Sequence, residues 1–173
     1  MLKKILLSLA VLLLFSGFLF AEGTKEAPSQ LHIVIATDAT WPPMEMVNEQ
    51  KKIVGFDVDL MAAIAKEGGF TYEFKNTAWD GIFAGLAAGK YDAVMSSVTI
   101  TDERKKIMDF SLPYINAGQI LVVRQNTTGV STLKDLAGKK VGAQIGTTGT
   151  FEIEKVKSVT LKTYDEIGLA FED

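Results

Sequence analysis

The sequence predicts an α/β protein built in two parts, and three observations carry that reading. Short runs rich in β-branched and aromatic residues alternate with segments of helical periodicity, the order expected of parallel strands joined by crossover helices. The alternation breaks at Phe110–Asn116, which contains Pro113 and shows no clear period, and then restarts. Hydrophobic residues make up 47% of the chain, enough for an apolar core in a protein without a single cysteine.

Leu31 to Thr37 reads as a buried strand, and Ile53-Val54-Gly55 as a short extended piece after a polar turn at Asn48–Lys52. Asp57 is placed to cap a helix through Glu67, with Val58, Met61, Ala62 and Ala65 on one face and Gly68-Gly69 ending it. Phe70 to Lys75 alternates Phe70, Tyr72 and Phe74 and reads as the second main strand. Asp80 then opens a small-residue helix with Ile82, Phe83, Leu86 and Ala87 inward, closed by Gly89. Ala93 to Val98 is the third strand, and Thr101 caps the next helix, with Asp102 and Glu103 in a first turn where the macrodipole favours acid.

Beyond the break, Gln119 to Arg124 is expected to be a strand, and Thr132 caps a short helix ending near Gly138. Lys140 to Gln144 is another strand, Gly146-Thr147-Thr148-Gly149 opens a helix running to about Val156, Thr160 to Tyr164 is a strand, and Asp165 starts a final helix. The division is a lobe at 31–110, a linking hinge at 111–118 and a second lobe at 119–173. That last helix stops at Asp173 with no parallel strand after it, so the second lobe reads as incomplete and the chain as a fragment.

Residues 1–21 read as a secretory signal. Lys3 and Lys4 precede an apolar run from Ile5 to Phe20, and cleavage fits after Ala21 or after Gly23. The run is short for a bilayer span of ~20 residues and holds Ser16 and Gly17, which favours removal over anchoring. Residues 22–30 form a polar, disordered tether. The absence of cysteine excludes a lipid-anchored N-terminus, so the expected destination is the periplasm.

The net charge is −3, and the basic residues cluster only at Arg104-Lys105-Lys106, which argues against nucleic acid as a partner. A single histidine, His32 in a strand start, and no cysteine leave little for a metal site or a Cys/His nucleophile. No cofactor is implied: neither G-x-x-x-x-G-K-[ST] nor G-x-G-x-x-G occurs around Gly142–Gly149.

Ligands in open α/β sheets sit where strands end. Asp38 and Trp41 follow the first strand, the ring held beside Pro42-Pro43; Trp79 and Asp80 follow the second. Ser96-Ser97-Val98-Thr99-Ile100-Thr101-Asp102-Glu103-Arg104 follows the third. Hydroxyl and carbonyl oxygens there can hold an ammonium and the Arg104 guanidinium a carboxylate, so one short stretch serves both ends of an amino-acid zwitterion. Thr147 and Thr148 offer hydroxyls and N–H groups from the second part. Taken singly, each also has a plain structural role: Asp38 and Asp80 as caps, the two tryptophans as core, Thr148 within ordinary helix capping.

Together the motifs Ala36-Thr37-Asp38-Ala39-Thr40-Trp41-Pro42-Pro43, Val54-Gly55-Phe56-Asp57-Val58-Asp59-Leu60, Trp79-Asp80-Gly81, Gly89-Lys90-Tyr91-Asp92-Ala93-Val94, Thr99-Ile100-Thr101-Asp102-Glu103-Arg104-Lys105-Lys106 and Asp109-Phe110-Ser111 with Pro113-Tyr114 resemble extracellular solute-binding proteins of family 3, the polar amino-acid receptors of ABC importers. Leu133-Lys134-Asp135-Leu136, Gly138-Lys139-Lys140-Val141-Gly142 and Gly146-Thr147-Thr148-Gly149 continue the resemblance in order.

The resemblance implies a two-lobed periplasmic binding protein clamshell of type II closing on one L-amino acid. Arg104 would grip the α-carboxylate with help from Thr148, while the Ser97 carbonyl and the Thr99 hydroxyl would accept from the ammonium. Trp41 and Trp79 would sandwich the side chain, and Asp38 would receive a donor at its far end, which suits Lys, Arg, His or Gln. Met44 and Met95 stand where the family often has an aromatic and a small residue. The implied partners are a small polar or basic amino acid and a membrane permease, with the protein a monomer and not an enzyme. Family members supply a further acid to the ammonium from residues with no counterpart here, so weak binding by these 173 residues is expected. The alternatives are a sensor input domain, a clamshell enzyme of the cyclohexadienyl dehydratase type, and a truncated copy without function.

Overall fold

The structure is a computed structural model in which residues 30–173 are described. The expected leader, and all but the last residue of the expected tether, lie outside the described residues.

The first strand, β1 (His32–Thr37), is the middle of its sheet, and Ile35, Ala36 and Thr37 are fully buried. Two strands not foreseen follow, β2 (Thr40–Trp41) and β3 (Glu45–Val47), and with β4 (Ile53–Val54) they make a small antiparallel sheet in the order β2-β3-β4. Helix α1 spans Phe56–Gly68 and ends on Gly69 in the left-handed region. Its cap differs from the expectation. Gly55 occupies the N-cap at φ 135°, a conformation open to glycine, and Asp57 lies inside the first turn with its carboxylate turned to other partners.

Strand β5 (Thr71–Asn76) pairs in parallel with β1 along its full length, from His32 opposite Thr71 to Thr37 opposite Asn76. Helix α2 (Ile82–Ala87) starts on Gly81 rather than Asp80, which is exposed. Strand β6 (Ala93–Val94) pairs on the other side of β1, giving the parallel order β5-β1-β6. It is shorter than expected. The Met95 N–H still donates to Ala36 (3.0 Å), but Ser97 adopts φ 47° and turns the chain off the sheet. The helix expected after Thr101 is a single 3-10 turn, Arg104–Lys106, although Thr101 Oγ1 does accept the Arg104 N–H at 3.2 Å.

Residues 119–124 are not a strand. Their backbone groups have no ladder neighbour among the described residues, and Ile120 and Val122 point outward at 85% and 57% exposure, while Leu121 packs inward. A second 3-10 turn, Leu133–Leu136, carries a capping box in which Thr132 and Asp135 bond each other's backbone. Strands β7 (Lys140–Gln144) and β8 (Thr160–Tyr164) pair in parallel around helix α3 (Thr148–Glu154). Helix α4 (Ile167–Glu172) is capped by Glu166, one residue later than the Asp165 start implied.

Two apolar clusters result. Ala36, Trp79, Ile82 and Tyr91 form the first, joined by Val34, Phe83, Leu86, Val94 and Val98. Val141, Ala143 and Ile153 form the second, joined by Leu121, Leu133, Leu136, Val159 and Leu161. Each lies under one parallel sheet, so strand ends from both sheets can face a common site.

Candidate functional site

In the β5-β1-β6 order the chain leaves central β1 for one edge and crosses to the other, so ligands are expected beyond the carboxyl ends of these strands. Asp38, Trp79 and Ser96-Ser97 all follow those ends.

Arg104 anchors the site. It is 7% exposed, and its guanidinium carbon stands 5.5 Å from the Trp79 ring centre and 5.0 Å from that of Phe83. Trp79 and Phe83 meet edge to face, so the cation rests against a preformed aromatic corner. Nη1 donates to the Thr99 carbonyl (2.9 Å) and Nη2 to the Gly146 carbonyl (3.3 Å), joining residues from both halves of the chain. Burial lowers its pKa from the ordinary arginine value. Among the described residues Arg104 has no ion pair with a carboxylate. Carbonyl dipoles and ring faces meet this nearly buried positive charge.

Beside it, Thr99 Oγ1 meets Thr148 Oγ1 at 3.2 Å, and Gln119 Nε2 donates to the same Thr148 oxygen at 2.8 Å. Gly146, at φ 67°, brings its backbone against Trp79: a Cβ there would lie 3.6 Å from the indole nitrogen. The second half thus reaches Arg104 through a carbonyl and Thr99 through a hydroxyl.

Asp38 is 2% exposed and its carboxylate accepts from Thr40 Oγ1 (2.9 Å) and Gln144 Nε2 (2.7 Å). Gln144 is fully buried; its Oε1 accepts from Trp41 Nε1 (2.6 Å), and its Nε2 also donates to the Asp165 carbonyl (2.7 Å). Trp41 and Asp38 are therefore held by one amide from the end of β7.

The sequence-derived residues fall into two groups. Thr99 and Trp79 lie against the Arg104 guanidinium with Thr148 next to Thr99, and Asp38 and Trp41 share Gln144. Ser97 stands apart, with its N–H (2.9 Å) and Oγ (3.4 Å) directed to Asp57 Oδ2. Sequence reasoning missed Gln144, Gln119, Phe83 and the Gly146 carbonyl. Gln144 carried only a faint local signal, a polar residue at the end of β7 two positions before Gly146.

Residues 33–167 match the bacterial extracellular solute-binding proteins, family 3. The chain belongs to that family. It is 45% identical over 123 residues to a probable histidine-binding protein of Neisseria gonorrhoeae, covering 70% of this chain and 46% of that one. It is 37% identical over 143 residues to an L-cystine-binding protein of Escherichia coli (strain K12), covering 82% and 54%. Among solved structures, an ancestral arginine-binding protein bound to glutamine superposes with a TM-score of 0.78 at 45% identity, over 82% of this chain and 63% of that one. The family fold is thus the α/β clamshell of the periplasmic amino-acid-binding proteins, and the chain spans about half the length of the curated relatives it matches.

Proposed function

We propose that the chain belongs to the substrate-binding component of an amino-acid ABC importer and holds an L-amino acid with a basic or amide side chain between two lobes. The observation that carries this reading is Arg104, a guanidinium 7% exposed, flanked by two aromatic rings and two carbonyls, with no carboxylate partner among the described residues. A desolvated cation so arranged favours a carboxylate, and a fork of parallel N–H groups selects the planar α-carboxylate of an amino acid. The Thr99 hydroxyl and the Ser97 carbonyl of the same strand-end turn supply acceptors for the ammonium, while Thr148, against Thr99, helps Arg104 hold the carboxylate. Trp41 and Trp79 supply the aromatic walls. The Asp38 carboxylate, now served by an amide and a hydroxyl, is the acceptor for the far end of the side chain. A similar ancestral protein is bound to glutamine in one structure and to arginine in another, which agrees with such a pocket.

Under this reading residues 31–110 and 119–173 contribute to separate lobes joined at 111–118, residues 1–21 direct export to the periplasm, and the loaded monomer docks on a membrane permease. Titration calorimetry of the protein carrying this chain against arginine, histidine, glutamine, cystine and glutamate tests it. Arginine, histidine or glutamine should bind, and Arg104→Ala should weaken that binding roughly a hundredfold or more. Unchanged affinity in Arg104→Ala would overturn the reading.

A further inference from the structure

Behind the Ser96-Ser97 turn lie two carboxyl groups that the ligand reading does not use. Glu45 in β3 and Asp57 in α1 are both fully buried. Glu45 Oε1 accepts from Ser96 Oγ (2.8 Å), and that hydroxyl oxygen accepts the Asp38 N–H (3.1 Å). Asp57 Oδ2 accepts from the Ser97 N–H (2.9 Å) and the Tyr114 hydroxyl (2.9 Å). Each carboxyl thus satisfies one oxygen on the turn. The other oxygens, Glu45 Oε2 and Asp57 Oδ1, are buried with no hydrogen-bond donor among the described residues. The two carboxyls hold adjacent residues of one turn, Ser96 and Ser97, and the charge of Asp57 is felt at Glu45. Two carboxylates cannot donate to one another, but a single proton between them supplies both orphaned oxygens at once.

We propose that Glu45 and Asp57 share one proton as a buried acid–carboxylate pair, acting as positioning residues that lock the Ser96-Ser97 turn and, with it, the Asp38 backbone. The groups facing the pair agree. Ser96 lies on one side, Asp38 contributes negative charge from the end of β1, and the Tyr114 phenol meets Asp57 from beyond the first core, its own pKa pushed up by burial and by that carboxylate. Burial, opposed by the Ser96 hydrogen bond and reinforced by the charges of Asp57 and Asp38, raises Glu45 to about 8. The proton sits on Glu45 because its partner already accepts three donors on Oδ2. Where the turn presents the Ser97 carbonyl and Thr99 to an ammonium, the effect on ligand rests on the proposed function; the protonation itself does not.

The sign is definite. A carboxyl whose folded pKa lies above its unfolded value binds more protons folded than unfolded, so stability falls as pH rises between the two values and levels off above the folded one. Thermal melts of the full chain from about pH 6 to about pH 9 should therefore show a falling melting temperature. Glu45→Gln, whose amide donates to Asp57 and accepts from Ser96, should flatten that profile and match or exceed the parent at the alkaline end. Asp57→Asn should flatten it too, because an amide then supplies the missing donor. Infrared spectra at neutral pH should contain the carbonyl stretch of a protonated carboxyl shielded from exchange, lost in Glu45→Gln. A parent profile without slope, or profiles of both amide variants parallel to the parent, would overturn the pair. So would failure of both variants to fold. These readouts involve no ligand, so an error about the amino acid would leave them unaffected.

Discussion

Gln144 and Asp38 are 106 positions apart in sequence and 2.7 Å apart in space, the amide of one donating to the buried carboxylate of the other. Because the same side chain accepts the Trp41 indole N–H and donates to the Asp165 carbonyl, three otherwise separate segments meet on one amide. Gln144→Ala should leave the Trp41 nitrogen without its acceptor and Asp38 Oδ2 without its donor, at a cost of about 1–3 kcal/mol in unfolding free energy. Gln144→Glu should cost more at neutral pH by setting a second carboxylate against Asp38. Urea denaturation of the two variants beside the parent checks the order.

Under the proposed function, Asp38 is the residue that would separate charge recognition from amide recognition. With Asp38→Asn, arginine should lose roughly thirtyfold or more in affinity, the scale of a truncated buried charge pair. Glutamine should change far less, because its amide needs only an acceptor. Calorimetry with both ligands on the same variant reads the split directly. Equal losses would show that the Asp38 charge is not what meets the side chain.

Gly55 is fixed by its backbone and by its surroundings. At φ 135° it adopts a conformation that side chains resist, and a Cβ would lie 2.3 Å from the Met44 carbonyl oxygen. Gly55→Ala should therefore destabilise by about 2–4 kcal/mol, since the α1 N-terminus and β4 must both shift. Circular dichroism melts of this variant against Gly69→Ala, where a Cβ meets nothing within 4 Å, distinguish contact from conformation.

The Thr132–Asp135 capping box makes a pH prediction of opposite sign to that of Glu45. Hydrogen bonds from the Ser131 and Thr132 backbones lower the Asp135 pKa below the ordinary aspartate value. Its stabilisation of the 3-10 turn is thus complete above the unfolded value and fades as pH falls through the lower folded one. Carboxyl-carbon NMR titration should place Asp135 below the ordinary aspartate value, and Thr132→Ala should move it upward.

Much of this was legible in the chain. The parallel strands β1, β5, β7 and β8 were found because apolar runs and turn residues marked both ends, and Arg104 was singled out because hydroxyls and a guanidinium within one short stretch offer partners to both ends of a zwitterion. The misses have particular causes. Asp57 has the composition of a helix cap, yet its carboxylate is taken by the Ser97 N–H and the Tyr114 hydroxyl, 40 and 57 positions away, contacts that no local pattern encodes. The run Ala93–Val98 has strand propensity throughout, but the Ser96 and Ser97 bonds to Glu45 and Asp57 draw it off the sheet after two paired residues. Residues 119–124 look like a strand by composition, whereas a ladder requires a neighbour that composition cannot supply. Gln144 escaped because one glutamine at a strand end acquires meaning only when Asp38 and Trp41 arrive beside it.

Trp79 belongs both to the apolar interior beneath the first sheet and to the aromatic corner that carries Arg104. Under the proposed function, efforts to retune which amino acid is preferred would find this indole a poor handle, because any smaller ring would loosen the foundation while reshaping the wall. Variation is better directed at Thr99 and Thr148, whose hydroxyls meet each other and which belong to neither apolar cluster.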